Sequence, residues 1–154
     1  LFNILGDRVS DASFLDLFAG SGDVGIEALS RGAERVVFVD ASPSAARVIR
    51  ENLGVCGMSG GYQVLCMTVA SSLNLLREGG EKFDLIFLDP PYASDLASDA
   101  LERLSRQPLL HAGGLVIAEH HHKTSLAEEY GTLRCSRRRR VGETALSFYS
   151  FRLD

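Results

Sequence analysis

The segment Asp89-Pro90-Pro91-Tyr92 combines a carboxylate, two rigid prolines and an aromatic ring directly after an apolar run. Each proline fixes its own φ angle and restricts the residue before it, so the Asp89 carboxylate and the Pro90 carbonyl are held with little freedom. An amino group on an aromatic ring is a weak nucleophile because its lone pair is delocalised. Two acceptors that bind its hydrogens localise that lone pair, and Tyr92 can stack on the ring. We therefore predict chemistry on a planar amine, with Asp89, Pro90, Pro91 and Tyr92 as catalytic residues.

A glycine-rich turn with the spacing Gly20-x-Gly22-x-x-Gly25 follows the first apolar segment. Glycines at this spacing allow a nucleotide cofactor to approach the backbone closely, and the spacing alone does not choose between NAD, FAD and S-adenosylmethionine (SAM). Asp16, inside the preceding strand, either orders the loop or receives an amino group of the cofactor. Asp40 lies 20 residues after Gly20, the offset at which a carboxylate binds ribose hydroxyls. The predicted cofactor-binding residues are Asp16, Phe18, Ala19, Gly20, Ser21, Gly22, Gly25, Asp40, Ala41, Thr68 and Val69.

Short apolar runs alternate with amphipathic stretches, which predicts a parallel sheet covered by helices. The predicted parallel strands are residues 13–18, 35–39, 62–67, 83–88 and 115–119, and the predicted helices are residues 22–30, 42–54 and 95–106. Residues 132–141 and 144–152 predict a terminal hairpin joined through Gly142-Glu143. A Rossmann-like sheet that ends in an antiparallel hairpin is typical of SAM-dependent methyltransferases rather than of dinucleotide dehydrogenases.

Length and composition favour one compact domain over residues 1–154. The chain has 154 residues, of which 45% are hydrophobic, enough to bury one core but not a second sizeable one. Its apolar runs are too short to span a membrane, and Leu1-Phe2-Asn3-Ile4-Leu5 lacks the features of a signal peptide. We therefore expect a cytoplasmic protein that makes no contact with membranes.

The charge of the chain is unevenly distributed. The net charge is -4, but residues 134–154 carry +4, which leaves -8 for the remainder. A local basic edge can bind phosphates although the body of the protein is acidic. Arg137, Arg138, Arg139 and Arg140 are therefore the predicted nucleic-acid contacts, and strand alternation places Arg137 and Arg139 on one side and the other two arginines on the opposite side.

Neither the cysteines nor the histidines predict a metal site. Cys56, Cys66 and Cys135 are widely spaced without a C-x-x-C pair, and we expect them to be buried free thiols. The run His120-His121-His122 has no accompanying Cys or acidic cluster, and His111 stands alone. Methyl transfer from a sulfonium needs no metal, so none is expected.

Four segments of the chain resemble the RsmD family of bacterial 16S rRNA guanine-N2 methyltransferases, and together they span nearly the whole chain. They are Phe14-Leu15-Asp16-Leu17-Phe18-Ala19-Gly20-Ser21-Gly22, Gly25-Ile26-Glu27-Ala28-Leu29-Ser30-Arg31-Gly32-Ala33, Phe83-Asp84-Leu85-Ile86-Phe87-Leu88-Asp89-Pro90-Pro91-Tyr92 and Gly142-Glu143-Thr144-Ala145-Leu146-Ser147-Phe148-Tyr149. The resemblance implies an α/β, Rossmann-like class I SAM-dependent methyltransferase. Its sheet is expected to have seven strands, mostly parallel, with an antiparallel carboxyl-terminal hairpin and helices on both faces.

The resemblance also implies the cofactor, the substrate and the roles of the site residues. Asp16, Gly20, Gly22 and Asp40 would hold SAM, and S-adenosylhomocysteine (SAH) would be the product. Asp89, Pro90 and Tyr92 would hold the amino group of a guanine in 16S rRNA, within a 30S particle or an assembly intermediate, and the enzyme would be a monomer.

Two features of the chain depart from the family pattern. Family members carry a further basic segment ahead of the position that matches Leu1, and we expect this chain to lack it. Thr68 stands where such enzymes often place an acid that contacts the adenine, so a backbone carbonyl or the Thr68 hydroxyl would have to substitute.

Two alternative functions remain open from the sequence. The same chemistry of Asp89-Pro90-Pro91-Tyr92 serves an adenine-N6 or cytosine-N4 methyltransferase that acts on DNA or RNA. A protein of another class, a SAM-binding or RNA-binding ribosome assembly factor without catalysis, could also have kept the fold.

Overall fold

The computed structural model describes residues 1–92 and 94–152, so Ala93, Leu153 and Asp154 of the predicted domain lie outside the described residues. The helices are α1 (Phe2–Leu5), α2 (Asp23–Ser30), α3 (Pro43–Val55), α4 (Val69–Glu78) and α5 (Leu96–Arg106), and Gly6–Val9 forms a 3-10 turn. The strands are β1 (Ser13–Leu17), β2 (Arg35–Asp40), β3 (Tyr62–Cys66), β4 (Phe83–Leu88), β5 (Leu110–His121), β6 (Glu129–Tyr130), β7 (Leu133–Val141) and β8 (Thr144–Phe151).

The described strands form one eight-stranded sheet in the order β3-β2-β1-β4-β5-β8-β7-β6. Strands β1 to β5 pair in parallel, and β8, β7 and β6 add antiparallel pairs at one edge. The prediction of a mostly parallel sheet with an antiparallel hairpin is confirmed, with eight strands in place of the expected seven. The additional strand β6 has only two residues, too few to show the alternation by which a strand is recognised in a sequence.

Helices cover both faces of the sheet and give the protein two apolar layers. On one face α4 and α5 pack Leu73 and Leu101 into a core cluster. On the other face α2 and α3 contribute Ile26 and Ile49. A strand that is buried on both faces must be apolar at nearly every position, which explains the uninterrupted run in β4. None of the described helices has both the length and the apolarity that a membrane span requires.

The ends of the helices follow the local sequence. Ser42 Oγ accepts a hydrogen bond from the backbone N–H of Ala45 (3.3 Å), and Pro43 occupies the first turn of α3, as predicted. Helix α4 was not predicted, although Thr68 caps it in the same way by accepting from the Ser71 N–H (3.2 Å). Its apolar residues Val69, Leu73 and Leu76 recur at helical spacing, so the sequence did contain the signal that could have found it.

Two strands differ from the predicted boundaries in ways that affect the site. Strand β5 runs from Leu110 to His121 and exceeds the predicted residues 115–119 at both ends, because Leu110 pairs with Phe83 of β4 and β8 pairs with β5 as far as His121, opposite Thr144. Strand β7 contains a bulge between Cys135 and Arg137, where Ser136 is the extra residue.

Candidate active site

A cavity of about 730 Å³ lies at the carboxyl ends of the parallel strands. This volume falls within the range of about 300–1,000 Å³ that is usual for small-molecule sites. The predicted residues that line it are Phe18, Gly20, Asp40, Ala41, Thr68, Val69, Asp89, Pro90, Pro91 and Tyr92. The structure thus brings the glycine turn and the proline segment to the same cavity, because the loops after β1, β2, β3 and β4 all leave the sheet at one edge.

The turn after β1 has an unusual backbone. Phe18 has φ 58°, a left-handed conformation that costs a residue with a side chain about 1–3 kcal/mol and that is found mainly at functional sites. Gly20 adopts a similar φ of 59° and lines the cavity. Gly25, in contrast, packs against Phe38 and Val36, where a Cβ atom would collide with both side chains.

Five of the predicted cofactor residues lie beside the cavity and not in its wall. They are Asp16, Ala19, Ser21, Gly22 and Gly25. The Ala19 N–H donates to the Val39 carbonyl (2.9 Å), and Asn52 Nδ2 donates to the Ser21 carbonyl (2.9 Å). These contacts fix the path of the turn, so the residues shape the site indirectly.

Asp16 is buried in β1 and supports the glycine turn from below. Its Oδ2 accepts a hydrogen bond from the Gly25 N–H (3.1 Å) in the first turn of α2. Burial, with smaller contributions from the charges of Asp89 and Asp40, raises the pKa of Asp16 to about 7. Two roles were considered for Asp16. Its hydrogen bond with the Gly25 N–H supports the role in which it orders the loop.

Asp40 joins the loops that follow β1 and β2. Its Oδ2 accepts from the Gly20 N–H (2.9 Å) and its Oδ1 accepts from the Ser42 N–H (2.9 Å). A carboxylate oxygen has more than one lone pair, so each oxygen can still accept a hydroxyl from a ligand in the cavity.

Thr68 and Val69 form the wall next to β3. The Thr68 hydroxyl accepts from the Ser71 N–H and donates its own hydrogen to Ser71 Oγ (3.0 Å). Its donor is therefore in use within the helix cap. The apolar side chains of Val69 and the adjacent Ala70 line this end of the cavity.

The proline segment leaves the sheet at the end of β4. Asp89 is half-buried, Pro90 is buried, and Pro91 and Tyr92 are exposed. Burial and then a hydrogen bond and the charge of Glu119 raise the pKa of Asp89 to about 7. Glu119 was not singled out from the sequence, because its partnership with Asp89 depends on the pairing of β4 with β5.

Tyr92 connects the proline segment to the hairpin. Its hydroxyl lies 3.3 Å from Thr144 Oγ1, and its ring contacts the edge of the His121 ring with centroids 5.8 Å apart. The residue is nevertheless 53% exposed at the mouth of the cavity. A face of the ring is therefore available to a flat ligand.

The four arginines of β7 divide between the two faces of the hairpin, as the alternation predicted. Arg138 is engaged with the protein: it donates to the Leu126 carbonyl (2.8 Å) and pairs with Glu128 (3.2 Å). Arg140 Nε donates to the Gly142 carbonyl (2.8 Å). The side chains of Arg137 and Arg139 make no hydrogen bond or ion pair with the described part of the chain.

The histidines and cysteines differ in their burial and contacts. His120 is buried and its Nε2 lies 2.8 Å from Ser147 Oγ, and no cluster of three or more metal-ligating side chains occurs within residues 1–92 and 94–152. The expectation of buried thiols was wrong. Cys66 ends the edge strand β3 and Cys56 follows the last turn of α3, so both are exposed, and Cys135 is half-buried.

Comparison with known proteins gives consistent results along the chain. The model of the family described as "Conserved hypothetical protein 95" matches residues 1–150. The chain is 34% identical over 152 residues to a Bacillus subtilis protein named "Putative rRNA methyltransferase YlbH", a match that covers 99% of this chain and 83% of the relative. It is 35% identical over 121 residues to "Ribosomal RNA small subunit methyltransferase D" of Haemophilus influenzae, which covers 77% of this chain and 62% of that protein.

Solved structures show the same fold. A conserved hypothetical protein from Streptococcus pyogenes superposes with a TM-score of 0.85 at 32% identity, covering 96% of this chain and 91% of that one. SMU.776, solved in complex with SAH, has a TM-score of 0.78 at 16% identity, covering 96% of this chain and 48% of that one. The fold is that of the class I SAM-dependent methyltransferases, as expected. Because the family model spans nearly the whole chain and the relatives agree with it, the protein belongs to the RsmD family.

Proposed function

We propose that this protein transfers a methyl group from SAM to the exocyclic N2 amino group of a guanine in small-subunit rRNA, acting as a monomer in the cytoplasm. The observation that supports the reaction is the shared cavity, which the glycine turn and Asp89-Pro90-Pro91-Tyr92 line together. The names of the relatives support rRNA as the substrate. Guanine N2 is the target that the resemblance to the RsmD family implies.

The charge of the site favours SAM over a dinucleotide. Asp40, Asp89 and Asp99 line the cavity, and no Lys, Arg or His occurs among its described lining residues. The buried carboxylate of Asp16 also takes the Gly25 N–H at the start of α2, where a phosphate would otherwise bind. An anionic pyrophosphate is disfavoured there, and a ligand with positive charges is favoured.

Residues around the glycine turn would hold the cofactor. Asp40 keeps free lone pairs toward the cavity and would accept the ribose hydroxyls. Gly20 exposes its backbone to the same space, and Val69 would pack against the adenine. When bound, SAM supplies an electrophilic methyl group on a positively charged sulfur.

The proline segment would hold the target amine. The Asp89 carboxylate and the Pro90 carbonyl accept the two amino hydrogens, which localises the nitrogen lone pair. Positive charge develops on that nitrogen as the new bond forms, and Asp89 stabilises it and takes the released proton. Tyr92 would stack on the base, a contact worth about 1–3 kcal/mol, and a base in paired RNA must first be flipped out.

The hairpin would bind the phosphates around the target. Arg139 pairs with Leu146, which pairs with Glu119, so the three residues form one row across β7, β8 and β5. With strands about 4.8 Å apart, Arg139 stands about 10 Å from Glu119 along this row. Arg137 and Arg139 share that face, and their side chains make no hydrogen bond or ion pair with the described residues, although the Arg137 guanidinium lies over the Phe148 ring, 6.0 Å from its centroid. Of the four arginines in β7, Arg137 and Arg139 are therefore the better candidates for phosphate contacts.

The test is transfer from labelled SAM to unmodified 30S particles and to the naked rRNA, followed by mapping of the modified nucleotide. A methyl group on guanine N2 supports the proposal. A methyl group on an adenine or cytosine amine contradicts the proposed base, and SAM binding without transfer to either RNA would indicate a non-catalytic assembly factor.

A further inference from the structure

Glu119 stands beside the predicted catalytic carboxylate on the neighbouring strand. Strands β4 and β5 pair in parallel, with Leu88 opposite Ala118. The next residues of the two strands, Asp89 and Glu119, therefore leave the pair side by side at the edge where the cavity opens. Both are half-buried, so water screens their interaction only in part.

Neighbouring positions on paired strands lie about 4.8 Å apart and place their side chains on the same face of the sheet, so the two carboxyl groups lie within reach of each other. Ionised carboxylates only accept hydrogen bonds, so a bond between two of them requires that one carry a proton. Two like charges this close do not both ionise readily. Burial, and after it the neighbouring Glu119, raise the pKa of Asp89 to about 7.

The surroundings contain little that would break the pair. From β1 the facing ionisable group is Asp16, another carboxyl, with Asp40 of β2 behind it. On β5 itself, the neighbouring residue His120 interacts electrostatically with Glu119, but its ring forms a hydrogen bond with Ser147 Oγ. From β8 the residue opposite Glu119 is the apolar Leu146, and Arg139 of β7 lies beyond it on the same face, about 10 Å from Glu119. His121, two residues further along β5, shares that face, and its ring contacts Tyr92.

We propose that Glu119 is a positioning residue that shares one proton with Asp89 and thereby keeps an oxygen of Asp89 free to accept the amine. This inference rests on the proposed function. In the reaction an N–H bond of the methylated amine breaks, its electron pair stays on nitrogen, and the proton passes to Asp89 Oδ. The pair then holds two protons, one of which leaves to solvent before the next turnover.

The first test is a titration of the free protein, which needs neither SAM nor RNA. Carboxyl ¹³C NMR of the full chain should show Asp89 titrating near pH 7 in wild type and at lower pH in Glu119→Gln, because the variant loses a neighbouring charge and gains an amide donor. The control Glu143→Gln removes an exposed carboxylate on the hairpin turn and should leave the titration unchanged. If wild-type Asp89 titrates in a single step at the ordinary pKa of a carboxyl, the proposal is wrong, whether or not the variant folds.

The second test is the pH profile of single-turnover methyl transfer to 30S particles. Glu119→Gln should lower the plateau rate by about tenfold, a modest share of what proton acceptors contribute, and should move the acidic inflection to lower pH. SAM affinity should stay within about twofold of wild type, since Glu119 is not among the residues that line the cavity. An unchanged inflection with a lower plateau would mean a merely structural role. If wild type transfers no methyl group, the proposed function fails, and the NMR titration still decides whether the pair exists.

Discussion

The two halves of the sheet differ in the charge they present and in how deeply they bury it. The parallel half ends in a concave edge where Asp16, Asp40 and Asp89 lie within or beneath one cavity. The antiparallel half presents Arg137 and Arg139 on an exposed strand. A small cation and a long polyanion require opposite surfaces, and this chain carries both within one sheet.

The difference in burial shows how the two kinds of ligand are bound. Buried carboxylates destabilise the free protein, since water cannot solvate them, and the site is thereby prepared for a ligand that supplies positive charge. The exposed arginines keep their hydration and bind phosphates by releasing counterions. Cofactor binding should therefore be governed by local geometry, and RNA binding by salt.

The largest expected effect is on folding, through Asp16→Asn. A pKa of about 7 in the folded protein, against about 3.9 in the unfolded chain, corresponds to about 4 kcal/mol. Because the folded pKa is raised, this carboxyl contributes its full stability below about pH 4 and loses it as the pH rises to 7. The stability gained by Asp16→Asn over wild type should thus grow from pH 4 to pH 7 and then level off.

Urea unfolding of both proteins at pH 5 and pH 8 measures that difference. Asp23→Asn, an exposed acid at the start of the same helix, should show no such growth. An equal effect of Asp16→Asn at both pH values would mean that Asp16 is ionised throughout.

The next effect is on catalysis, through Asp89→Ala. The rate of methyl transfer should fall by about 10²–10³-fold, because an acceptor at the developing positive charge is lost. SAM affinity by calorimetry should change little, since Asp40 and the glycine turn remain. Asp95→Ala, an exposed acid just before α5, is the control and should retain full activity. A large loss of SAM affinity in Asp89→Ala would overturn the assignment.

Asp40→Ala should produce the complementary result. Loss of a charged hydrogen-bond partner costs about 1.5–3 kcal/mol, which corresponds to a rise in the Kd for SAM of about 10- to 100-fold. RNA affinity in filter binding should be unaffected. Glu51→Ala on α3 removes an exposed acid as a control. An unchanged Kd for SAM would show that the ribose is bound elsewhere.

The smallest effect concerns the basic half. Arg137→Gln with Arg139→Gln should weaken RNA binding and reduce the slope of log K against log salt by about 1.4–1.8, the value for two lost phosphate contacts. SAM binding should not change. The control pair Arg50→Gln with Arg77→Gln removes the same charge from helices α3 and α4. If the control reduces the slope equally, the arginines act only through net charge.

The sequence predicted what depends on local pattern. The five parallel strands, the hairpin and the amino-terminal cap of α3 follow from apolar runs, proline and serine. The predicted end of α3 at Gly54 was wrong, because the helix continues to Val55 and Cys56 caps it. The predicted site residues that follow the strands line one cavity for the same reason, since the carboxyl ends of parallel strands share one edge.

What the sequence did not predict depends on pairing between distant segments. Glu119 meets Asp89 only through the register of β5 against β4. The exposure of Cys66 depends on β3 being an edge strand, which the order of the sheet decides. Residues Glu129–Tyr130 form strand β6 because they pair with β7.

The bulge at Ser136 divides the hairpin into two parts, and a different feature sets the strand register in each part. Before it, Leu133 and Cys135 are fixed by the hydrophobic core, and after it the arginines are aligned from the turn at Gly142-Glu143. Ser136, the extra residue, allows both alignments to occur in the same strand. A one-residue deletion there would leave Arg137 opposite Phe148, so each arginine would keep its face of the hairpin.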